Sequence, residues 1–196
     1  MNFILQLAHS PNPQVMFRLS VAQLEARTPE ERLEITHLNM NGMGLTKFPM
    51  AILTCTNLEH LYLNTNRITS IPRELGNLVN LRIIFLNSNT LTSIPRELGN
   101  LVSLTTLDLC HNELTSLPRG LGDLVNLKGL YLAHNQITSI PHEFDNLVNL
   151  VNFYVDGNKL TSTCGVKFSV TSREVVDRVI GMNTFTDLGR MCAEFL

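Results

Sequence analysis

Residues 69–79 read TSIPRELGNLV, and residues 92–102 read TSIPRELGNLV again without a change. Two later stretches, 115–125 (TSLPRGLGDLV) and 138–148 (TSIPHEFDNLV), keep the same frame, and the step is 23 residues each time. The period extends outward from these stretches. Pro49, Pro72, Pro95, Pro118 and Pro141 share it, as do Asn66, Asn89, Asn112, Asn135 and Asn158. So do Leu38, Leu61, Ile84, Leu107, Leu130 and Phe153. One unit condenses to LxxLxLxxNxLTSIPxxLxxLxN. Such a unit is too small to bury its own apolar face, so units must stack.

The pattern inside a unit predicts its local structure. Leu61-Tyr62-Leu63 alternates in and out, as a strand does. Asn66 and Ile68 then turn the chain. Pro72 suits the first position of a short helix, where its missing N–H costs little. Leu75 and Leu78 face inward from that helical turn, and Gly76 or Gly99 ends it. Stacked strands form one parallel sheet with the helical turns opposite. The Asn column (Asn66, Asn89, Asn112, Asn135, Asn158) is expected to be structural. Its amides bond backbone groups in a tight turn that no sheet ladder satisfies. The first unit has Met43 at the Asn position, with Gly42 and Gly44 to ease its turn.

These residues resemble the leucine-rich repeat, and within it the 23-residue intracellular class found in Ras-suppressor-like proteins. The resemblance covers about residues 35–162, as five full units and a partial sixth. It implies an α/β solenoid: a curved right-handed horseshoe fragment with a concave parallel β-sheet, short helical turns on the convex side and helical caps at both ends. The chain then divides into an N-terminal cap over residues 1–34, repeats over 35–162 and a C-terminal cap over 163–196, all one cooperative domain. Caps are needed because a stack ends in apolar surface and unpaired strand edges. Asn12-Pro13 reads as a helix start, followed by Val15, Met16, Leu19 and Ala22 at helical spacing. Thr28-Pro29-Glu30-Glu31 starts a second helix of about one turn. Beyond Asn158 the pattern fails. Ser172 can cap a helix through Ile180, and a last helix begins near Thr186 or Asp187.

The units differ most where side chains leave the sheet. The column through Tyr62 reads Asn39, Tyr62, Phe85, Asp108, Tyr131, Tyr154, and it holds all three tyrosines of the chain. Beside it run Asn41, Asn64, Asn87, Cys110, Ala133 and Asp156, and on the other side His37, His60, Ile83, Thr106, Gly129 and Asn152. Arg82 belongs to the outermost column. Variation on a repeated scaffold marks a binding surface. The sequence therefore predicts a non-enzymatic protein–protein interaction module that holds a protein or peptide on its concave sheet. The contact residues are Tyr62, Phe85, Asp108, Tyr131, Tyr154, Asn64, Asn87, Arg82 and His60, with a basic or hydrogen-donating group of the partner opposite Asp108. On the convex side Arg73, Arg96 and Arg119 lie beside Glu74, Glu97 and Glu143, and cross-repeat ion pairs on a solvated face are expected.

Two other readings stand beside this one. A structural or assembly protein would use the convex face or the caps. A metal-binding protein or Cys/His enzyme would centre on Cys110, His111 and His134, with Asp156 nearby. Strand alternation argues against that convergence, because adjacent residues point oppositely unless the chain bends. No catalytic residue, metal or cofactor is predicted; neither GxGxxG nor a P-loop occurs. A net charge of -2 argues against a surface for nucleic acid. No apolar run reaches the roughly 18 residues of a membrane helix, so no membrane insertion is expected. There is no N-x-[ST] sequon and no CxxC; Cys164 and Cys192 could pair, but reduced thiols are expected. The setting is read as cytoplasmic, the interior of a host cell included. A monomer is expected, with an oligomer left open.

Overall fold

A computed structural model describes residues 16–161. Seven three-residue strands run parallel in one sheet, each bonded to the next in chain order. They are β1 (Met16–Arg18), β2 (His37–Asn39), β3 (His60–Tyr62), β4 (Ile83–Phe85), β5 (Thr106–Asp108), β6 (Gly129–Tyr131) and β7 (Asn152–Tyr154). From β2 onward the register advances by one unit per strand, Leu38 on Leu61, Leu61 on Ile84 and so on to Leu130 on Phe153. The period of the sequence is therefore the register of the sheet. The middle residue of each of these strands points inward and is buried. Around it, in the unit of β3, lie Leu58, Leu63, Ile68, Leu75, Leu78 and Leu81, all buried. One apolar core runs the length of the stack.

The N-terminal cap departs from the reading of its sequence. Met16 does not continue a helix; it opens β1, which pairs with β2 at Met16–His37 and Arg18–Asn39. Pairing gives the backbone groups on that edge of β2 partners that a helix could not supply. The helix α1 (Val21–Glu25) starts later, where Ser20 and Gln23 form a reciprocal capping box. Thr28 and Glu31 cap α2 (Pro29–Leu33) in the same way, with Pro29 at its first turn, in accord with the sequence. Arg32 ties the cap to the first unit: its guanidinium donates to the Leu24 and Glu25 carbonyls and to Thr54 Oγ1 at 2.7–3.2 Å. The proposed start at Asn12-Pro13 lies outside the described residues. So do the helices proposed after Ser172 and the Cys164–Cys192 pair.

The convex turns are one-turn 3-10 helices, such as Arg73–Asn77 and Arg96–Asn100. Two expectations are corrected there. The proline sits one residue earlier than predicted, as an extended N-cap at Pro72, Pro95 and Pro118. Gly76, Gly99 and Gly122 do not stop the helix; they lie inside it and are buried. A Cβ on any of them would run into the backbone carbonyl of Glu97, Gly120 or Glu143 in the next unit. The turns stack at a distance that only glycine permits.

The convex ion pairs also differ from the expected cross-repeat rows. Arg73 pairs with Glu74 at 3.1 Å and Arg96 with Glu97 at 3.3 Å, each its chain neighbour. Only Arg119, which has Gly120 beside it, reaches across to Glu143 at 3.4 Å. An adjacent carboxylate is nearer than one in the next unit, so it captures the guanidinium first.

Candidate functional site

The Asn column fixes the turns from which the open face is displayed. Asn112 Oδ1 accepts from the Leu91 N–H at 3.0 Å, and Nδ2 donates to the Leu86 and Leu109 carbonyls at 3.1 and 3.0 Å. Asn66, Asn89 and Asn135 repeat this arrangement and are buried, and Asn158 does so half-buried. Asn66 also serves the first unit: its Oδ1 accepts from both Met43 and Leu45. Met43 at the Asn position is thus accommodated by the amide of the following unit.

Two further periodic features carry no role in the sequence reading above. The residue before each Asn position has positive φ: Gly42 (66°), Thr65 (56°), Ser88 (57°), His111 (53°), His134 (56°) and Gly157 (66°). Glycine at both ends of that column is the signal that was available, because the left-handed region costs glycine nothing. The second feature is another Asn row. Asn57, Asn80, Asn126 and Asn149 each donate Nδ2 to a carbonyl of the preceding unit, at 2.8–3.0 Å. The row is interrupted at Ser103. It was legible as a 23-residue spacing, but nothing in the residue type distinguished a bonding amide from a solvated one.

The central column of the open face holds two ring groups parted by a carboxylate. Tyr62 meets Phe85 edge-on with centroids 5.4 Å apart. The Tyr62 hydroxyl lies 3.5 Å from His60 Nδ1, and His60 touches His37 edge-on at 4.1 Å. At the other end Tyr131 and Tyr154 stack at 5.2 Å with planes 10° apart. Tyr131 leans over Gly129, where a Cβ would lie 2.8 Å from its ring. Between the groups stands Asp108, in register with Phe85 on one side and Tyr131 on the other. Its Oδ1 accepts from the Cys110 N–H at 3.0 Å.

Arg82 immediately precedes β4 and pairs with Glu59 at 3.3 Å. Asn64 and Asn87 are half-buried; the side-chain Oδ1 of Asn64 is closed off from solvent and has no hydrogen bond. Burial, the neighbouring His37 and Arg82 together hold the His60 imidazole below its ordinary pKa, with Glu59 opposing.

The Cys/His reading is tested by the same geometry. His111 stacks on His134 at 4.4 Å, and His134 Nε2 approaches Asp156 at 3.8 Å. The Cys110 thiol belongs instead to Asp108. Burial, then the charge of Asp108 and a hydrogen bond to it, push its pKa up to about 12. A thiol so held is a poor nucleophile at neutral pH. Among the described residues, no three His, Cys, Asp or Glu side chains are grouped to hold a metal ion. No helix among them is long and apolar enough to cross a membrane.

The Leucine rich repeat family model matches residues 56–114 and again 102–160, more than half of the chain. No curated protein matches the sequence. Among solved structures, a leucine-rich-repeat protein of Leptospira interrogans is 27% identical with a TM-score of 0.57; the match covers 76% of this chain and 43% of that one. The plant peptide hormone receptor RGFR1, solved in complex with RGF2, is 33% identical with a TM-score of 0.54, over 63% of this chain and 20% of the receptor. The BIR2 ectodomain from Arabidopsis thaliana is 28% identical with a TM-score of 0.55, over 65% and 69%. The chain thus spans less than half the length of the first two. It belongs to the leucine-rich repeat family.

Proposed function

We propose that the chain is a protein-interaction module that holds a protein or peptide segment along its concave sheet. The observation that carries this is the central column. Its rings stand outside the core yet are fixed by one another, Tyr62 on Phe85 and Tyr131 on Tyr154. A preordered aromatic surface loses little side-chain entropy on docking, and tyrosine is enriched in binding hot spots. Four strand steps from Tyr62 to Tyr154 span roughly 19 Å, which suits a few extended residues or one short helix. Tyr62, Phe85, Asp108, Tyr131 and Tyr154 form the centre of the contact. His60, Asn64, Asn87 and Arg82 flank it. That RGFR1 was solved in complex with RGF2 supports the same use of this fold.

The test is melting and partner affinity measured on the same Tyr131→Ala and Phe85→Ala preparations. Loss of a paired ring should cost about 1 kcal/mol of stability. It should weaken a partner by ~2 kcal/mol or more at a hot spot. Lost stability with retained affinity would move the site elsewhere.

One observation favours a second reading, assembly through the convex side. Val79, Val102, Val125 and Val148 form an exposed apolar row, one per unit. Sedimentation of the wild type and of a Val102→Lys, Val125→Lys double variant decides it: a monomeric wild type excludes this reading. The 23-residue period also supports membership of the Ras-suppressor-like class. The lack of sequons, and free thiols at Cys55 and Cys110, support a reducing intracellular setting.

A further inference from the structure

We propose that Asp108 receives an arginine side chain of the partner, seated between the Phe85 and Tyr131 rings. This inference rests on the concave sheet being the binding surface.

Asp108 already serves the fold. Its Oδ1 holds the N–H two residues on, that of Cys110, at 3.0 Å. Asn39 occupies the same column and makes the same bond to Asn41, also at 3.0 Å. A neutral amide therefore suffices for this turn, and the charge at position 108 is surplus to folding. No cation compensates it: among the described residues no ion pair joins Asp108, and Arg82 is engaged by Glu59 at 3.3 Å. A carboxylate half-buried among rings without a counter-charge is unfavourable. An incoming cation gains more there than on open surface, where water screens it.

The flanking rings select the kind of cation. Phe85 and Tyr131 are the register neighbours of Asp108, roughly 4.8 Å away on either side by strand spacing. Each is fixed by a further ring, Tyr62 and Tyr154 respectively. Burial first, and the charge of Asp108 after it, push up the Cys110 thiol; burial, then Tyr154 and then Asp108, push up the Tyr131 hydroxyl. A guanidinium is planar; it forks onto a carboxylate and lies against ring faces, which an ammonium does less well. The carboxylate has about four lone-pair sites, so it keeps free ones for the guanidinium beyond those used by the Cys110 N–H and thiol.

The experiment is a selection of displayed random dodecapeptides on the full chain, with the enriched peptides then made synthetically. Those peptides should share one arginine. Binding should fall at least tenfold on Asp108→Asn, and at least tenfold when that arginine is replaced by citrulline, its neutral isostere. The two changes together should do no more than one. Asp108→Asn keeps the Cys110 bond, so an unchanged melting midpoint verifies its fold. Peptides that are lost on Tyr131→Ala but bind Asp108→Asn as well as wild type overturn the inference and leave the concave-face reading standing. Peptides indifferent to both Tyr131→Ala and Phe85→Ala overturn both, as does a selection that enriches none.

Discussion

Residues 69–79 and 92–102 are identical on the convex side, whereas the strands of the same two units, His60–Tyr62 and Ile83–Phe85, share no residue at any position. The contacts explain the contrast. On the convex side the conserved frame meets backbone. Gly76 and Gly99 pack against carbonyls of the next unit, and Asn57, Asn80, Asn126 and Asn149 bond carbonyls of the preceding one. Backbone is the same in every unit, so the side chain that fits it recurs, with Ser103 in the amide row and Asp145 in the glycine row as departures. On the open face the outward side chains meet other side chains, Tyr62 on Phe85 and Tyr131 on Tyr154. Such pairs can change together, and this surface is free to be shaped by something other than the fold.

The contrast implies that substitutions against backbone cost far more than those against side chains. Asn112→Ala is expected to be the most damaging, at about 3 kcal/mol, because it leaves the buried Leu91 N–H unpaired and takes one of two amide donors from each of the Leu86 and Leu109 carbonyls. Chemical denaturation measures this, and an unchanged midpoint would remove the Asn column from the structural account. Gly99→Ala adds one methyl group against the Gly120 carbonyl and should cost about 2 kcal/mol. Its readout is the same titration beside Gly99→Ser, which should be no better; a neutral outcome would mean that the convex turns can move apart. Ser103→Asn should act in the opposite direction. It completes the second Asn row and should add about 0.5 kcal/mol, seen as a raised melting midpoint.

The smallest effect is a dependence on pH carried by the open face. The folded pKa of His60 lies below its ordinary value near 6.5, since burial and the adjacent His37 disfavour the cation. As pH falls through about 6.5 the unfolded chain takes up the proton first, so this contribution to stability declines on acidification until the folded ring also titrates. His60→Gln should flatten the slope of melting temperature against pH between 7 and the acid range. A slope that is unaltered in the variant would assign it to other groups.

The strands, the core leucines and the buried amides could be read from one dimension because each recurs at a fixed step. Where a residue acts once, local pattern misled. Met16, Leu19 and Ala22 have helical spacing, yet Met16 lies in β1, since β2 offered an open edge. The S-x-x-Q of Ser20–Gln23 was the better guide to where α1 begins. Glycine in a helix-ending position suggested a stop, whereas Gly76 and Gly99 answer to the neighbouring unit. The ion pairs failed similarly: column order predicted Arg73 and Arg96 reaching across, and proximity along the chain won.

For the candidate site the division is sharper. Which residues share a column was legible from the 23-residue period, because parallel in-register strands carry equal spacing in sequence into adjacency in space. What each then touches was not. That His134 goes to Asp156 and Cys110 to Asp108, that Tyr131 leans on Gly129, and that Asp108 alone among these has no partner of opposite charge among the described residues, all depend on rotamers and on distances between units. Periodicity is a property of backbone hydrogen bonding, which repeats with the chain. Side-chain pairing depends on two residues from different units at once, and no single stretch of sequence contains both.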